Sequence, residues 1–438
     1  MAGGKRSAET NTGGTMKEIL AQEYGVSAPL LKKAAEAEKK CAAIFERIDE
    51  VKEYNQLRVL RAFMEERVSP SHFAPSYGYG YDDAGREKLE QLFARIFKAE
   101  AALVRPHIAS GTHALAIALQ GIVRKGDRVV SASGAPYDTL ESIIGHKTPV
   151  EGSLCDRGAV YEELALKKDG ALNFEAMAAF VRGAAVVMLQ RSRGYQDRPS
   201  LTIKDIRRAS EIIKKAEPSA VIFVDNCYGE FVEDCEPLEA GADIMIGSLI
   251  KNAGGGLAPT GAYIAGRADL IERISYRLTA PGIGSEVGSY AAGYLPFYQG
   301  IFLAPQTVSE ALKGAVFTAA MLEEYGYRPS PKWNEARGCI IQSVQLGSAE
   351  KVIALCRQIQ KVSPVDSYVT PEPWAMPGYT DEVIMAAGTF IQGASIELSG
   401  DAPIREPYMF YMQGGIVYAQ VKAAILCALE KMNGGKEK

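Results

Sequence analysis

The 438-residue chain is predicted to fold as an α/β protein, with a large domain built on a mostly parallel sheet and a smaller α+β domain after it. Three observations carry this. Short β-branched apolar runs alternate with helix-like stretches through the middle of the chain, and the composition shifts around Pro305. The length fits two or three domains of roughly 150 residues, and an apolar content of 47% supplies a large core.

Taken in order, the first segment, MAGGKRSAETNTGG, is polar and has no apolar stretch, so it reads as a leader and not as a signal peptide. Residues 15–66 are rich in Lys, Glu, Ala and Leu, and Lys17 to Lys40 predicts a charged amphipathic helix. Leader and helical arm together occupy 1–70. The run SHFAPSYGYGY (71–81) breaks any helical period and reads as a loop loaded with phenols. Helices are predicted over 82–100 and 107–124.

The apolar runs Arg128 to Ala132, Ala184 to Leu189, Val221 to Val224 and Asp243 to Ile246 then read as strands, separated by helix-like stretches such as Ile203 to Lys215. Continuous β-branched runs spaced by helices are the pattern of a parallel sheet covered on both faces. This defines the large domain, 71–305. From 306 to 438 a long helix (Gln306 to Tyr325) leads to a Pro-rich loop, TPEPWAMPGY (370–379). Strand-like Thr389 to Leu398 and Met409 to Tyr411 follow, then a last helix to about Met432.

Composition also excludes. With 49 Lys+Arg against 53 Asp+Glu, the chain has no basic excess to bind nucleic acid or an anionic membrane, so any phosphate chemistry is local. Nowhere do some 18 apolar residues run without a charge or turn signal, so no membrane span is expected. Seven scattered cysteines read as reduced thiols of a cytoplasmic protein. No C-x-x-C pair occurs and there are only four histidines, so no metal site is expected.

In open parallel sheets ligands sit beyond the carboxyl ends of the strands, which singles out four places. Ser110-Gly111-Thr112 opens an apolar helix and offers amides and hydroxyls to an anion, although it also suits an ordinary helix cap. Asp225 ends Val-Ile-Phe-Val; strand-end aspartates are common and many merely cap helices. Lys251 follows the strand near Ser248 and precedes the flexible Gly254-Gly255-Gly256; it is either a partly buried, nucleophilic amine or a surface lysine. Tyr137 follows the strand ending near Ser131 and either stacks on a planar ligand or packs at the core edge. Together they have a direction. A phosphate nest, a stacking ring, a strand-end carboxylate and, 26 residues later, a strand-end lysine are the parts that hold pyridoxal phosphate.

The segments SGTHALAIAL (110–119), QRSRGYQDRPSLTI (190–203), VDNCYGEF (224–231), GSLIKNAGGGLAPTGAYIAGR (247–267), PEPWAMPGY (371–379) and IQGASIELSGDAPIREPY (391–408) then make a resemblance specific. From about residue 70 onward the chain resembles the fold-type I, aspartate aminotransferase-like, pyridoxal-phosphate enzymes of cysteine and methionine metabolism. It is most similar to their methionine gamma-lyase-like or aluminium resistance branch.

The resemblance implies Lys251 as Schiff-base lysine, Asp225 as partner of the pyridinium nitrogen and Tyr137 as stacking ring and proton-transfer aid. Ser110, Gly111, Thr112 and Ser248 would surround the phosphate. Tyr79 or Tyr81 would reach it from a neighbouring subunit, in a homodimer or homotetramer with shared sites. Better-studied relatives hold the substrate carboxylate with an arginine in a late strand, but the corresponding run, Tyr408 to Gln413, has none. Arg405 and Arg193 are the substitutes, with Arg191 and Arg198 as competitors. Trp374, Met376 and Tyr379 would shape the substrate pocket.

The implied activity is a carbon–sulfur lyase (methionine gamma-lyase or cystathionine beta-lyase type) that turns a sulfur amino acid into a thiol, a 2-oxo acid and ammonia. Transamination, side-chain replacement and aldol cleavage are the alternatives with the same cofactor. A protein that binds the cofactor without turnover, as regulator or carrier, is a third class. A nicotinamide enzyme would need a G-x-G-x-x-G between strand and helix, which is missing. Aluminium itself finds no acidic cluster suited to a hard trivalent ion.

Overall fold

A computed structural model describes residues 15–376 and 381–432. The arm is two helices, α1 (Met16–Gln22) and α2 (Ala28–Glu65), and not one. The amphipathic period of 17–40 is interrupted where Gly25 takes a φ of 70° and Pro29 opens the second helix. Thr15 and Glu18 close a capping box on α1. Along α2, Leu30, Ala34, Ala37 and Cys41 enter one hydrophobic core and Val59 and Ala62 another.

The core that Val59 and Ala62 enter lies against a seven-stranded sheet. In chain order its elements are α3 (Ala84–Phe97), β1 (Ala101–Arg105), α4 (Gly111–Ile122), β2 (Arg128–Ser131), α5 (Asp138–Ile144), β3 (Val160–Glu163), α6 (Phe174–Phe180) and β4 (Val186–Gln190). α7 (Ile203–Ala216), β5 (Val221–Asp225), β6 (Ile244–Ser248), β7 (Ala262–Gly266) and α8 (Ala268–Leu278) complete it. The strand order is β1-β7-β6-β5-β4-β2-β3. The five strands β2 to β6 are mutually parallel, while β7 runs antiparallel to both its neighbours, β6 and β1. Every residue of β4 and β6 is buried, as helices on both faces require. Each buried Val, Leu, Ile or Met there contributes roughly 1.5–3 kcal/mol of transfer free energy.

α9 (Leu295–Glu324) then leads to β8 (Arg328–Ser330), β9 (Gln342–Gln345), α10 (Ala349–Lys361), β10 (Val383–Ala386), β11 (Ser399–Pro403), β12 (Met409–Gln413) and α11 (Tyr418–Met432). The strands form an antiparallel sheet of order β10-β11-β12-β9-β8. Two expectations change here. The helix expected from Gln306 starts at Leu295 and carries Pro305 inside it, so a boundary at 305/306 cuts one continuous helix. A proline inside a helix costs the i−4 hydrogen bond, and here it is buried in a run of apolar contacts that hold the helix together. Thr389 to Leu398 is a series of turns, not a strand. There the Glu397 carboxylate accepts hydrogen bonds from the Phe390 and Ile391 amides (2.8 and 3.1 Å), which pins a loop, and pairing begins only at Ser399.

The triple glycine after Lys251 is a close-packing device and not a flexible loop. A Cβ on Gly255, whose φ is +57°, would lie 2.3 Å from the Gly300 carbonyl oxygen of α9, and a Cβ on Gly300 would lie 2.3 Å from the Gly254 oxygen. The backbone that follows Lys251 is therefore pressed directly against α9. Gly255→Ala is expected to lower stability by about 1–3 kcal/mol through the left-handed φ and this contact. Chemical denaturation measures it; an unchanged midpoint would show that the loop is free to move away.

Candidate active site

β4, β5 and β6 are adjacent and parallel, with Gln190 in register with Asp225 and Asp225 with Ile246. Their carboxyl ends open into a cleft of about 420 Å³. Ser110, Gly111, Thr112, Tyr137, Asp225, Ser248, Lys251 and Arg405 all line it. Residues from five separate parts of the chain thus meet at the place where a doubly wound sheet binds its ligand.

Ser110 is the N-cap of α4, its hydroxyl accepting from His113 N at 3.0 Å. The next two amides, of Gly111 and Thr112, have no intrahelical acceptor, and the positive end of the helix dipole lies there. A Cβ at Gly111 would stand 3.3 Å from Cys227 Sγ and 3.4 Å from Ser248 Cβ, so any side chain would fill the cradle. Ser248 Oγ is buried without a hydrogen-bond partner among the described residues. An orphaned hydroxyl costs about 1–3 kcal/mol, which an anion seated between Ser248 and the α4 N-terminus would offset.

Asp225 is buried and its carboxylate accepts from Cys227 N at 3.1 Å. Burial pushes its pKa up, against the opposing pull of the Lys251 charge. A buried carboxylate in this position is stabilised by a second cation, such as a protonated ring nitrogen. Lys251 sits just past the end of β6 with its Nζ 3.9 Å from the centre of the Tyr228 ring. Burial disfavours its charge, but the acidic neighbours Cys227, Tyr228 and Tyr137 outweigh burial and hold the ammonium above its ordinary value. Tyr137 caps α5, and burial with the nearby Asp225 keeps its phenol protonated. Orphaned hydroxyl, glycine cradle, buried carboxylate and buried amine fit pyridoxal phosphate: nest for the phosphate, Asp225 for the ring nitrogen, Lys251 for the aldehyde carbon.

The arginines separate. Arg405 reaches the cleft and donates to Asp381 at 2.7 Å. Arg193, also expected to bind substrate, does not line it. Its guanidinium is buried and donates to the Ser330 carbonyl (2.7 Å), Ser330 Oγ (3.0 Å) and the Gln196 carbonyl (3.3 Å), which makes it a tie between loops. Arg191 pairs with Glu233 and Glu236, and Arg198 donates to the carbonyls of Gln190, Ser192 and Pro199. Met376 lines the cleft; Trp374 does not, bridging to Val383 instead, and Tyr379 lies outside the described residues. Tyr79 and Tyr81 lie in a separate surface groove, 73% and 63% exposed, with their rings 5.6 Å apart. No cluster of three or more His, Cys, Asp or Glu poised for a metal occurs among the described residues. No described helix is long and apolar enough to cross a membrane.

Several lining residues gave no sequence signal. Asp401 and Gln413 project from neighbouring strands β11 and β12, Gln413 Nε2 donating to Asp401 Oδ1 at 2.6 Å and Tyr195 donating its phenol proton to Oδ2. Tyr228 takes a left-handed φ of 72° beneath Lys251, and its phenol oxygen lies 3.1 Å from Ser395 Oγ. All of them fall inside or beside segments already noted, but it is pairing across the small sheet that places Asp401 and Gln413 in the cleft.

Known proteins frame this geometry. The chain is 52% identical over 406 residues to the protein YnbB of Bacillus subtilis, spanning 92% of this chain and 96% of that one. A carbon-sulfur lyase involved in aluminum resistance from Clostridium novyi NT is 46% identical with a TM-score of 0.91, over 96% of this chain and all 100% of that one. A candidate cystathionine beta-lyase involved in aluminum resistance from Listeria monocytogenes is 50% identical with a TM-score of 0.90, over 92% and 99%. At 19% identity and a TM-score of 0.55, a methionine gamma lyase of Micromonospora echinospora shares the fold, which is that of the fold-type I pyridoxal-phosphate enzymes. The methionine gamma-lyase family model matches residues 30–433, and the chain belongs to that family of lyases.

Proposed function

We propose that the protein is a pyridoxal-phosphate-dependent carbon–sulfur lyase acting on a sulfur-containing amino acid, with methionine gamma-lyase or cystathionine beta-lyase type elimination to a thiol, a 2-oxo acid and ammonia. One observation carries the reading: a half-buried lysine and a buried carboxylate at neighbouring strand ends face one cleft, beside a helix N-terminus and the orphaned hydroxyl of Ser248. The family and the relatives named above support it.

When bound, the cofactor supplies an electron sink for charge developing at the substrate Cα. The chain does the rest. Lys251, freed as an amine, takes the Cα proton at Nζ. Asp225 holds a proton on the ring nitrogen by its negative charge. Tyr137 covers the ring and, kept as a neutral phenol, has a proton to give to the leaving sulfur. Arg405 exchanges Asp381 for the substrate carboxylate, since a guanidinium pairs two oxygens at once. The site residues come from one chain, while the exposed Tyr79 and Tyr81 reach the phosphate of a second copy in a homodimer or homotetramer. The compartment proposed is the cytoplasm, in keeping with seven free cysteines.

Incubating the holoprotein with sulfur amino acids is expected to release thiol and ammonia in equal amounts. Amino transfer to an added 2-oxo acid without thiol release, side-chain replacement or aldehyde release would overturn the elimination reading. In the same assay Arg405→Lys keeps the charge but not the paired geometry, and is expected to raise KM by about 10–100-fold with little change in kcat. An unchanged KM would remove Arg405 from substrate binding.

A further inference from the structure

The cleft contains a second buried carboxylate that the reaction does not use. Strands β11 and β12 present two faces. Ala402, Phe410 and Met412 face the core beneath, whereas Ser399, Asp401, Tyr411 and Gln413 line the cleft. Asp401 and Gln413 are buried side chains, yet both have surface on the cavity. The two hydrogen bonds that hold Asp401, from Tyr195 and from Gln413 at 2.6 Å, both place the carboxylate oxygens as acceptors. A carboxylate has about four acceptor sites, so Asp401 retains capacity for a donor from within the cleft.

Resting on the lyase reading above, we propose that Asp401 recognises the far end of the substrate and selects amino acids whose sulfur-linked leaving group carries a hydrogen-bond donor, best an ammonium. Two features argue for that end. The α-carboxylate is repelled by Asp401 and is drawn to Arg405, the arginine that lines the cleft. An all-carbon leaving group pressed against Asp401 strips water from the carboxylate and returns no hydrogen bond, so binding it is penalised. A primary ammonium fills the remaining acceptor sites and pairs the charge.

The charged and titratable groups facing Asp401 are Tyr195 and Tyr411, Lys251 and Tyr228 near the β6 end, Arg405 beyond β11, and the buried thiol of Cys356 on α10 beneath β11. Burial pushes Asp401 up to about 6, against the hydrogen bonds from Tyr195 and Gln413 and the charge of Lys251. Protonation below that value removes the acceptor charge. Affinity for a substrate with an ammonium-bearing leaving group therefore falls, relative to one with an uncharged leaving group, as pH drops through about 6.

The test uses two cysteine thioethers of nearly equal shape, S-(2-aminoethyl)cysteine and S-propylcysteine, which end in an ammonium and a methyl group. Dissociation constants are read from the change in the visible spectrum of the holoprotein, with or without turnover. The wild type is expected to bind the aminoethyl compound at least about 10-fold more tightly at pH 7.5, with the preference shrinking toward pH 5.5. Asp401→Asn keeps the shape and the Gln413 contact in one amide orientation, and is expected to abolish both the preference and its pH dependence. Asp401→Glu, which retains the charge, is expected to keep part of the preference. Equal affinities in the wild type, or a preference that survives in Asp401→Asn, would overturn the proposal. Since binding is measured directly, a protein that bound the pair as expected but released no thiol would count against the lyase reading alone.

Discussion

Lys251→Ala is expected to abolish the visible absorbance of the purified holoprotein and to lower turnover by at least about 10³-fold, because proton transfer by a positioned base alone contributes 10²–10⁴. No neighbour can take over. Asn252 is buried and spends its amide on the Glu230 carbonyl at 3.0 Å, and no other lysine lines the cleft among the described residues. Lys251→Arg separates charge from chemistry. It keeps a cation for Asp225 and Asp401 but presents a guanidinium that stays protonated, so it too should lack the band. Far-ultraviolet circular dichroism reports whether either variant is folded. A folded variant that kept the visible band would show that another amine holds the cofactor.

Asp225→Asn is expected to weaken cofactor binding by about 10²-fold or more, the scale of about 3 kcal/mol associated with breaking a buried charge pair. The same variant makes a prediction of opposite sign for the apoprotein. Burial raises the Asp225 pKa above its ordinary 3.8, so the folded state holds this proton more tightly than the unfolded state. Its stabilising contribution is complete below 3.8 and is lost as pH rises through the folded value. Wild-type apoprotein should therefore lose stability over that rise, and Asp225→Asn, which has nothing to ionise there, should lose less. Urea midpoints of both apoproteins across pH 4 to 8 measure this. Parallel curves, together with equal cofactor affinities, would remove Asp225 from the role given to it.

The sequence and the structure agree best where chemistry is local. Val221 to Asp225 and the run to Ser248 are short, apolar and followed by polar residues, so strand, strand end and ligand-facing position could be read together. Ser110 announced itself by preceding an apolar helix. β1, β3 and β7 were invisible: Val160–Glu163 has only one buried side chain of four, and Ala262–Gly266 lies within a glycine-rich stretch. Pro305 misled, because its cost to the helix is local while the packing that outweighs it comes from elements far along the chain. Arg193 misled for a related reason. A guanidinium near a strand end resembles a substrate clamp until its partner, Ser330, is known, and that contact spans 137 residues. Asp401 is the converse. Nothing in SGDAP distinguishes a surface aspartate from one facing a cleft, and only antiparallel pairing with β12 decides it.

α9 gives Phe297, Ile301, Ala304 and Val308 to the core under the seven-stranded sheet, and Ala315, Phe317, Ala320 and Met321 to the core of the smaller one. α2 runs beside it and divides its side chains in the same way. Neither core can melt without stripping the packing from half of a helix that the other still needs. The two sheets are therefore thermodynamically coupled and should be lost in a single cooperative transition, with no half-folded state in which one sheet outlives the other.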